Sequence, residues 1–378
     1  MPNAAVAMSS RYSKRSRGAA TRAALALGLA ALALDERALA QPGGMSPCDV
    51  RTSERVVAVG DVHGAYAQFA AILRAAALID GRDRWIGGRA ILVQTGDVLD
   101  RGSDSRRALD LLRRLEREAA QAGGRVFALL GNHEVMRMLD DWRYVSAGEY
   151  AAFQTGSSEE IRERAFGVVA AEASREAKAA GRPHEEAAFR AQFFHEVPLG
   201  SIEMQQAFGT DGEYGRWLRN HHVLVKINDV LYLHGGVSPS AASLRCDQMN
   251  DTVRLELAAS RAAVRDPASL LVTSEVGPLW YRGLTQEPEE AFLPAVMSIL
   301  SGLEARAAVI GHTVAPNGRI AARFGGRVLQ VDTGMLGGSF FPGGRASALE
   351  IRGGEFTAIY ADEPRRPATL ALTVLGPR

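Results

Sequence analysis

The sequence predicts an α/β protein whose largely parallel sheet is covered by helices on both faces. Three observations carry this. Short β-branched runs at 55–60 (RVVAVG), 90–96 (AILVQTG) and 125–131 (RVFALLG) each end at a glycine. Segments with helical spacing follow the first two, at 65–77 and 103–121. After a helical stretch, β patterns return from 223 onward. Strands that alternate with helices belong to sheets buried on both faces.

The elements can be taken in order. Residues 11–22 (RYSKRSRGAATR) are basic with no acid, 23–34 (AALALGLAALAL) are apolar, and Ala38-Leu39-Ala40 has the small-x-small pattern of a cleavage site. Residues 1–40 are therefore expected to be a signal peptide, with the periplasm or the cell exterior as destination. The apolar run is too short for a stable membrane span, and no later segment supplies one. A catalytic domain is expected over 50–360. Within it, residues 140–220 are rich in Ala, Glu and Arg and predict a helical insertion with a long helix near 158–180. Val223–Ile227 and Val230–His234 flank Asn228-Asp229, and Ala348–Arg352 and Glu355–Ile359 flank Gly353-Gly354; both read as hairpins. Further strands are expected at Ala307–Ile310 and Arg327–Val331, and 361–378 form a C-terminal tail.

Bulk composition bounds the function. The 378 residues are 47% hydrophobic, enough for one large core or two modest ones. With 44 Lys and Arg against 43 Asp and Glu, the net charge is +1, which predicts no sequence-wide affinity for nucleic acid. The two cysteines, Cys48 and Cys246, are too few for a zinc finger or a disulfide framework. One disulfide in an exported chain and two separate buried thiols both fit that count.

The chemistry lies at strand ends. Gly60-Asp61-Val62-His63-Gly64 follows the first run, Gly96-Asp97-Val98-Leu99-Asp100-Arg101-Gly102 the second, and Gly131-Asn132-His133-Glu134 the third. Later strands deliver His234-Gly235-Gly236 and Gly311-His312-Thr313. Sites in open α/β sheets form outside the carboxyl ends of strands. Asp61, His63, Asp97, Asn132, His234 and His312 are thus expected in one place. Imidazole and oxygen donors without thiolate suit manganese, iron or zinc, and six donors suit two cations about 3.5 Å apart. His184, His195, His221 and His222 sit in no motif and are expected to have no catalytic role.

The order and content of these motifs resemble the phosphoprotein phosphatase branch of the calcineurin-like metallophosphoesterases, over about residues 54–335. Within it, GNHE, the long insertion after it, the HGG and GHT forms and Gly277-Pro278-Leu279-Trp280-Tyr281-Arg282 are most similar to the Shewanella-like, bacterial-type phosphatases. The resemblance implies a fold of two central mixed β-sheets flanked by helices, and hydrolysis of phosphomonoesters on phosphorylated proteins or small molecules. It implies two divalent metal ions, manganese foremost, with iron or zinc as alternatives. Asp61 and His63 would hold the first, Asp97 would bridge, and Asn132, His234 and His312 would complete the second. A hydroxide shared by the metals would attack, and His133, oriented by Asp100, would protonate the leaving oxygen. Arg101 and Arg282, with Asn132, would bind the phosphoryl group, and Glu134 would support the site structurally. The chain lacks the Ser-Ala-Pro-Asn-Tyr segment of the serine/threonine branch, so phosphotyrosine is the favoured ester. A dinucleotide polyphosphate hydrolase or phosphodiesterase on the same fold is the alternative, although Glu134 and Gly235 stand where the related dinucleotide hydrolases carry Asp and Ala. The loop 334–344 (GMLGGSFFPGG) would either plug the core with Phe340 and Phe341 or offer them, with Tyr281, as an aromatic rim.

Overall fold

The computed structural model describes residues 47–181, 183–259 and 269–363, and a last short strand at 368–369. The expected signal peptide and most of the expected tail lie outside these residues. The chain contacts divide into two units, one comprising Phe153–Gln205 and the other the rest of the described chain.

The larger unit contains two six-stranded sheets. In the first, β1 (Asp49–Val50), β5 (Leu224–Ile227), β6 (Val230–Leu233), β7 (Ala307–Ile310), β9 (Val328–Gln330) and β8 (Ala321–Arg323) follow one another in space. In the second the order is β12 (Ala368–Thr369), β11 (Glu355–Tyr360), β10 (Ser347–Arg352), β2 (Val56–Val59), β3 (Ile91–Gln94) and β4 (Arg125–Ala128). Both sheets are mixed. β2, β3 and β4 run parallel, as do β6, β7 and β9, and antiparallel strands flank each trio.

Alternation explains why the sheets meet. Val56 and Ala58, Ile91 and Val93, Val225 and Ile227, Val230 and Tyr232, Ala307 and Val309, and Leu349 and Ile351 all enter one buried cluster shared by the two sheets. Residues of opposite parity, such as Val57 and Leu92, are also fully buried, so both faces of these strands are covered. Against the second sheet lie α1 (Tyr66–Ala75) and α2 (Ser105–Gln121), and Ala108, Leu111, Leu112, Leu115 and Ala119 form the buried stripe of α2.

Both hairpins form where Asn228-Asp229 and Gly353-Gly354 stand, with Ile227 opposite Val230 and Arg352 opposite Glu355. Gly353 and Gly354 both take positive φ, the conformation a tight two-residue turn demands. The strands β1, β8 and β12 were not read from the sequence. Each has only two or three residues, too few to show a period.

Residues 140–220 are helical throughout their regular structure, with α4 (Ala147–Ala152), α5 (Ser158–Ala179), α6 (Glu186–Glu196), α7 (Ser201–Phe208) and α8 (Glu213–Leu218). The portion that packs as its own unit is narrower, Phe153–Gln205. Its small core holds Phe166, Val169 and Phe193. At the edge of the first sheet, Cys48 and Cys246 are joined as a disulfide, with Cα atoms 6.1 Å apart. The link ties the segment before β1 to α9 (Cys246–Ala258) across 198 residues of chain. Replacing both cysteines with serine should lower stability by about 2–4 kcal/mol. Guanidinium titration checks this: reductant should lower the wild-type midpoint and leave the double variant unmoved.

Candidate metal centre and phosphoester site

The parallel strands of both sheets end on the same side, and their following turns bring the motif residues together. Asp61 and His63 follow β2, Asp97 to Arg101 follow β3, Asn132 to Glu134 open α3 (Asn132–Met138) after β4, His234 follows β6 and His312 follows β7. Asp61, His63, Asp97, Asn132, His133, His234 and His312 are all at least nine-tenths buried. One donor atom each from Asp97, His234 and His312 lie within 4.8 Å of one another, as do those from His63, Asp97 and His133. Asp97 belongs to both groups. Asp61 adjoins both, its carboxylate 3.8 Å from His63 Nε2 and 3.9 Å from His234 Nδ1.

Backbone carbonyls set the imidazole tautomers. His63 Nδ1 donates to Leu99 O at 2.8 Å and His234 Nδ1 donates to Thr95 O at 3.0 Å. Each Nε2 is then left with a lone pair. His312 is reversed: its Nε2 donates to Trp280 O at 3.2 Å and leaves the lone pair on Nδ1. His234 Nε2 faces Asn132 Oδ1 at 2.9 Å and Asp97 Oδ2 at 3.3 Å. Three lone-pair atoms thus converge with no proton to share, an arrangement that a cation reconciles. Burial holds His63 down at about 3 and His312 at about 2, so both stay neutral and able to ligate near pH 7.

The carboxylates show the same crowding. Burial pushes Asp61 well above the usual range, with Asp332 and Asp97 adding like-charge repulsion. Burial also acts upward on Asp97, but the imidazoles packed on it, His234 first, outweigh burial whenever they carry a proton and then hold Asp97 well below. Asp332 is raised to about 6, chiefly by burial. Buried like charges of this kind are what a divalent cation neutralises.

His133 is different. Proximity alone would place it among the ligands, since its Nε2 is 3.8 Å from Asp97 Oδ2. Its Nδ1, however, meets Asp100 Oδ2 at 2.6 Å. Burial opposes its charge, but Asp97 and Asp100 prevail and raise its pKa. A protonated imidazole donates rather than ligates, which is the state a general acid requires. Arg137 binds the other oxygen of Asp100, and Glu149 accepts from Asp100 N at 3.1 Å and from Arg137 at 3.4 Å.

Arg101 contacts His63 Nε2 through Nη1, and its guanidinium lies between the rings of Tyr144 (5.6 Å) and Phe341 (5.3 Å). Arg282 donates to His312 O at 2.9 Å and Thr313 Oγ1 at 2.8 Å, which fixes it beside the cluster. Of the two phenylalanines in the glycine-rich loop, Phe341 stacks on His63 with centroids 5.8 Å apart, whereas Phe340 is 56% exposed. Tyr281 packs beside Gly236 and Gly283.

Glu134 organises the turns. Its carboxylate accepts from the amides of Asp97 (2.8 Å), Val98 (2.8 Å), Leu99 (3.3 Å) and Gly131 (2.8 Å). The amide of His133 in turn holds Asp97 Oδ1 at 3.0 Å. Gly131 has to be glycine: a Cβ there would lie 2.2 Å from Asp97 Oδ1.

Sequence reasoning missed Asp332. It follows β9 in Val331-Asp332-Thr333-Gly334, an acid at a strand end near a glycine that could have been read, although here the glycine comes after the acid and not before it. Arg137 stands four residues after His133 on one helix, also a readable spacing. Tyr144, Glu149 and the carbonyls of Leu99, Thr95 and Trp280 carry no such signal.

Comparison with known proteins agrees with this geometry. A profile of the calcineurin-like phosphoesterase family matches residues 54–316. The chain belongs to the calcineurin-like phosphoesterases and is a hydrolase of phosphoester bonds. An uncharacterized protein of Schizosaccharomyces pombe is 31% identical, over 77% of this chain and 75% of that one. Shewanella-like protein phosphatase 2 of Arabidopsis thaliana is 29% identical, over 82% of this chain and 78% of its own. The solved structure of a cold-active protein-tyrosine phosphatase from a psychrophilic Shewanella species is 27% identical, with a TM-score of 0.64, covering 85% of this chain and 82% of that one.

Glu134→Gln keeps the side chain's shape but turns one acceptor into a donor, so two backbone N–H groups lose their partner. Stability should fall by about 1–3 kcal/mol for each orphaned donor. Denaturant unfolding of the variant measures this directly.

Proposed function

We propose that this protein is a phosphomonoesterase acting on phosphoprotein-type substrates, with phosphotyrosine favoured, and that it works with two divalent cations, manganese foremost and iron or zinc as alternatives. The observation that carries this reading is the convergence of His234 Nε2, Asn132 Oδ1 and Asp97 Oδ2 without a shared proton, beside the buried His133–Asp100 pair. Asp61, His63, Asp97, Asn132, His234 and His312 would hold the cations. When bound, they acidify water to a nucleophile and neutralise phosphoryl charge.

The chain's own residues do the rest. With His63 Nε2 committed to holding a cation, the Arg101 guanidinium that contacts it would be free for phosphoryl oxygens. Arg101 and Arg282 then bind the equatorial oxygens with planar donors, and Asn132 contributes its amide. His133 gives its Nε2 proton to the departing oxygen, and Asp100 holds the ring and stabilises its charge. Tyrosine esters suit this site because a phenol departs more easily than an alkoxide. The similarity to a protein-tyrosine phosphatase supports the same choice.

We also propose an exported protein. The basic and apolar leader supports this, and the Cys48–Cys246 disulfide fits an oxidising compartment. Among the described residues, no helix is long and apolar enough to cross a membrane. Fractionation of cells carrying the full chain, with detection of a shortened mature form outside the cytoplasm, tests export.

Asp97→Ala should lose at least one cation and nearly all turnover; elemental analysis after manganese loading, alongside an activity assay, checks both. His133→Asn should keep the cations and lose about 10²–10⁴ in turnover of alkyl phosphates, and less for nitrophenyl phosphate. kcat/KM on matched peptides bearing phosphotyrosine, phosphoserine or phosphothreonine should favour tyrosine, by about tenfold at most if a ring contact is the cause. Faster cleavage of dinucleotide polyphosphates than of every monoester would overturn the reading.

A further inference from the structure

His133 is closed on most sides. Asp100 takes Nδ1, the His63 ring meets it edge-on at 4.8 Å, and Nε2 lies 3.8 Å from Asp97. A further neighbour is Tyr144, whose ring centroid is 5.1 Å away at a tilt of 47°. His133, Asp100 and His63 are buried, whereas Tyr144 is 45% exposed. Its backbone carbonyl accepts the Arg101 N–H at 3.0 Å, which couples the ring's position to that arginine. The Arg101 guanidinium carbon lies 5.6 Å from the same ring. One partly exposed aromatic surface therefore borders both the proton donor and the phosphate-binding cation.

This restricts where an organic group can go. An ester oxygen that receives the His133 Nε2 proton, with its phosphoryl oxygens at Arg101, has to carry its substituent past the Tyr144 ring. We propose that Tyr144 forms the leaving-group subsite and selects aryl over alkyl phosphomonoesters by ring-to-ring contact. The proposal rests on the phosphomonoesterase reading above. A planar leaving group can stack or meet the ring edge-on, and an alkyl group of similar size gains only apolar area. Phe340, more exposed than Tyr144, is not among the rings packed on His63, His133 or Arg101.

The test has to separate ring contact from ease of departure. Phenyl phosphate and hexafluoroisopropyl phosphate release alcohols of similar acidity, so their ratio of kcat/KM reports the contact. The manganese-loaded full chain is compared with Tyr144→Phe, Tyr144→Leu and Tyr144→Ala, each checked for folding by circular dichroism. The phenyl-to-alkyl ratio should fall about 2- to 10-fold in the Leu and Ala variants, the scale of one aromatic pair, and stay unchanged in the Phe variant. If Ala misfolds, Leu keeps the apolar bulk and still removes the ring. Equal losses on both substrates would show that Tyr144 only braces His133 and Arg101, and would overturn the subsite while leaving the monoesterase reading intact. A wild type that hydrolyses neither ester would overturn both.

Discussion

The Glu134 carboxylate accepts amides at the ends of two neighbouring strands, and the rest of the site hangs from that grip. Asp97, Val98 and Leu99 are pinned after β3, and Gly131 is pinned after β4. From the pinned segments come the bridging candidate Asp97, the Leu99 carbonyl that sets the His63 tautomer, and the helix start that presents Asn132 and His133. Asp100 and Arg101 continue the same turn. A single buried acid thus links Asp97, Asp100, His133 and Arg101. Charge-assisted bonds to several amides also offset the cost of burying the carboxylate itself.

Around this frame the fold tolerates arrangements that a core selected only for stability would avoid. Asp61, Asp97 and Asp332 crowd together away from water, beside the neutral His63 and His312. The flanking sheets make this tolerable because their shared apolar cluster draws buried side chains from nine strands. Six strand ends from two sheets meet at this one place.

Much of this was legible in the sequence, and for identifiable reasons. Strands such as 56–59, 91–94 and 307–310 announce themselves through β-branched runs that stop at glycine, and the residues after those glycines come together in the candidate site. Both hairpins were readable because their turn residues permit positive φ. What could not be read depends on the third dimension. β1 and β8 are strands only because a partner lies beside them. Phe340 and Phe341 are identical neighbours in sequence, yet only Phe341 lies against His63 and Arg101. Glu149 looks like any helical glutamate until Arg137 and Asp100 are seen beside it. Asp332 is the exception, a legible signal left unread.

Several side chains at the centre stand on backbone that most amino acids avoid. His63, Asp97, Asp100, Arg101 and His312 all have φ between 46° and 70°. None of them is glycine, and the left-handed region costs such residues roughly 1–3 kcal/mol each. Glycine or asparagine would sit at these five positions with less strain, so each of these side chains is kept at a cost in stability. A lineage that no longer needed the reaction would be expected to drift first at these turns, gaining stability as it lost chemistry. Close relatives that keep the sheets but carry glycine in place of His63 or Arg101 would then be recognisable as descendants that have abandoned catalysis and kept the scaffold.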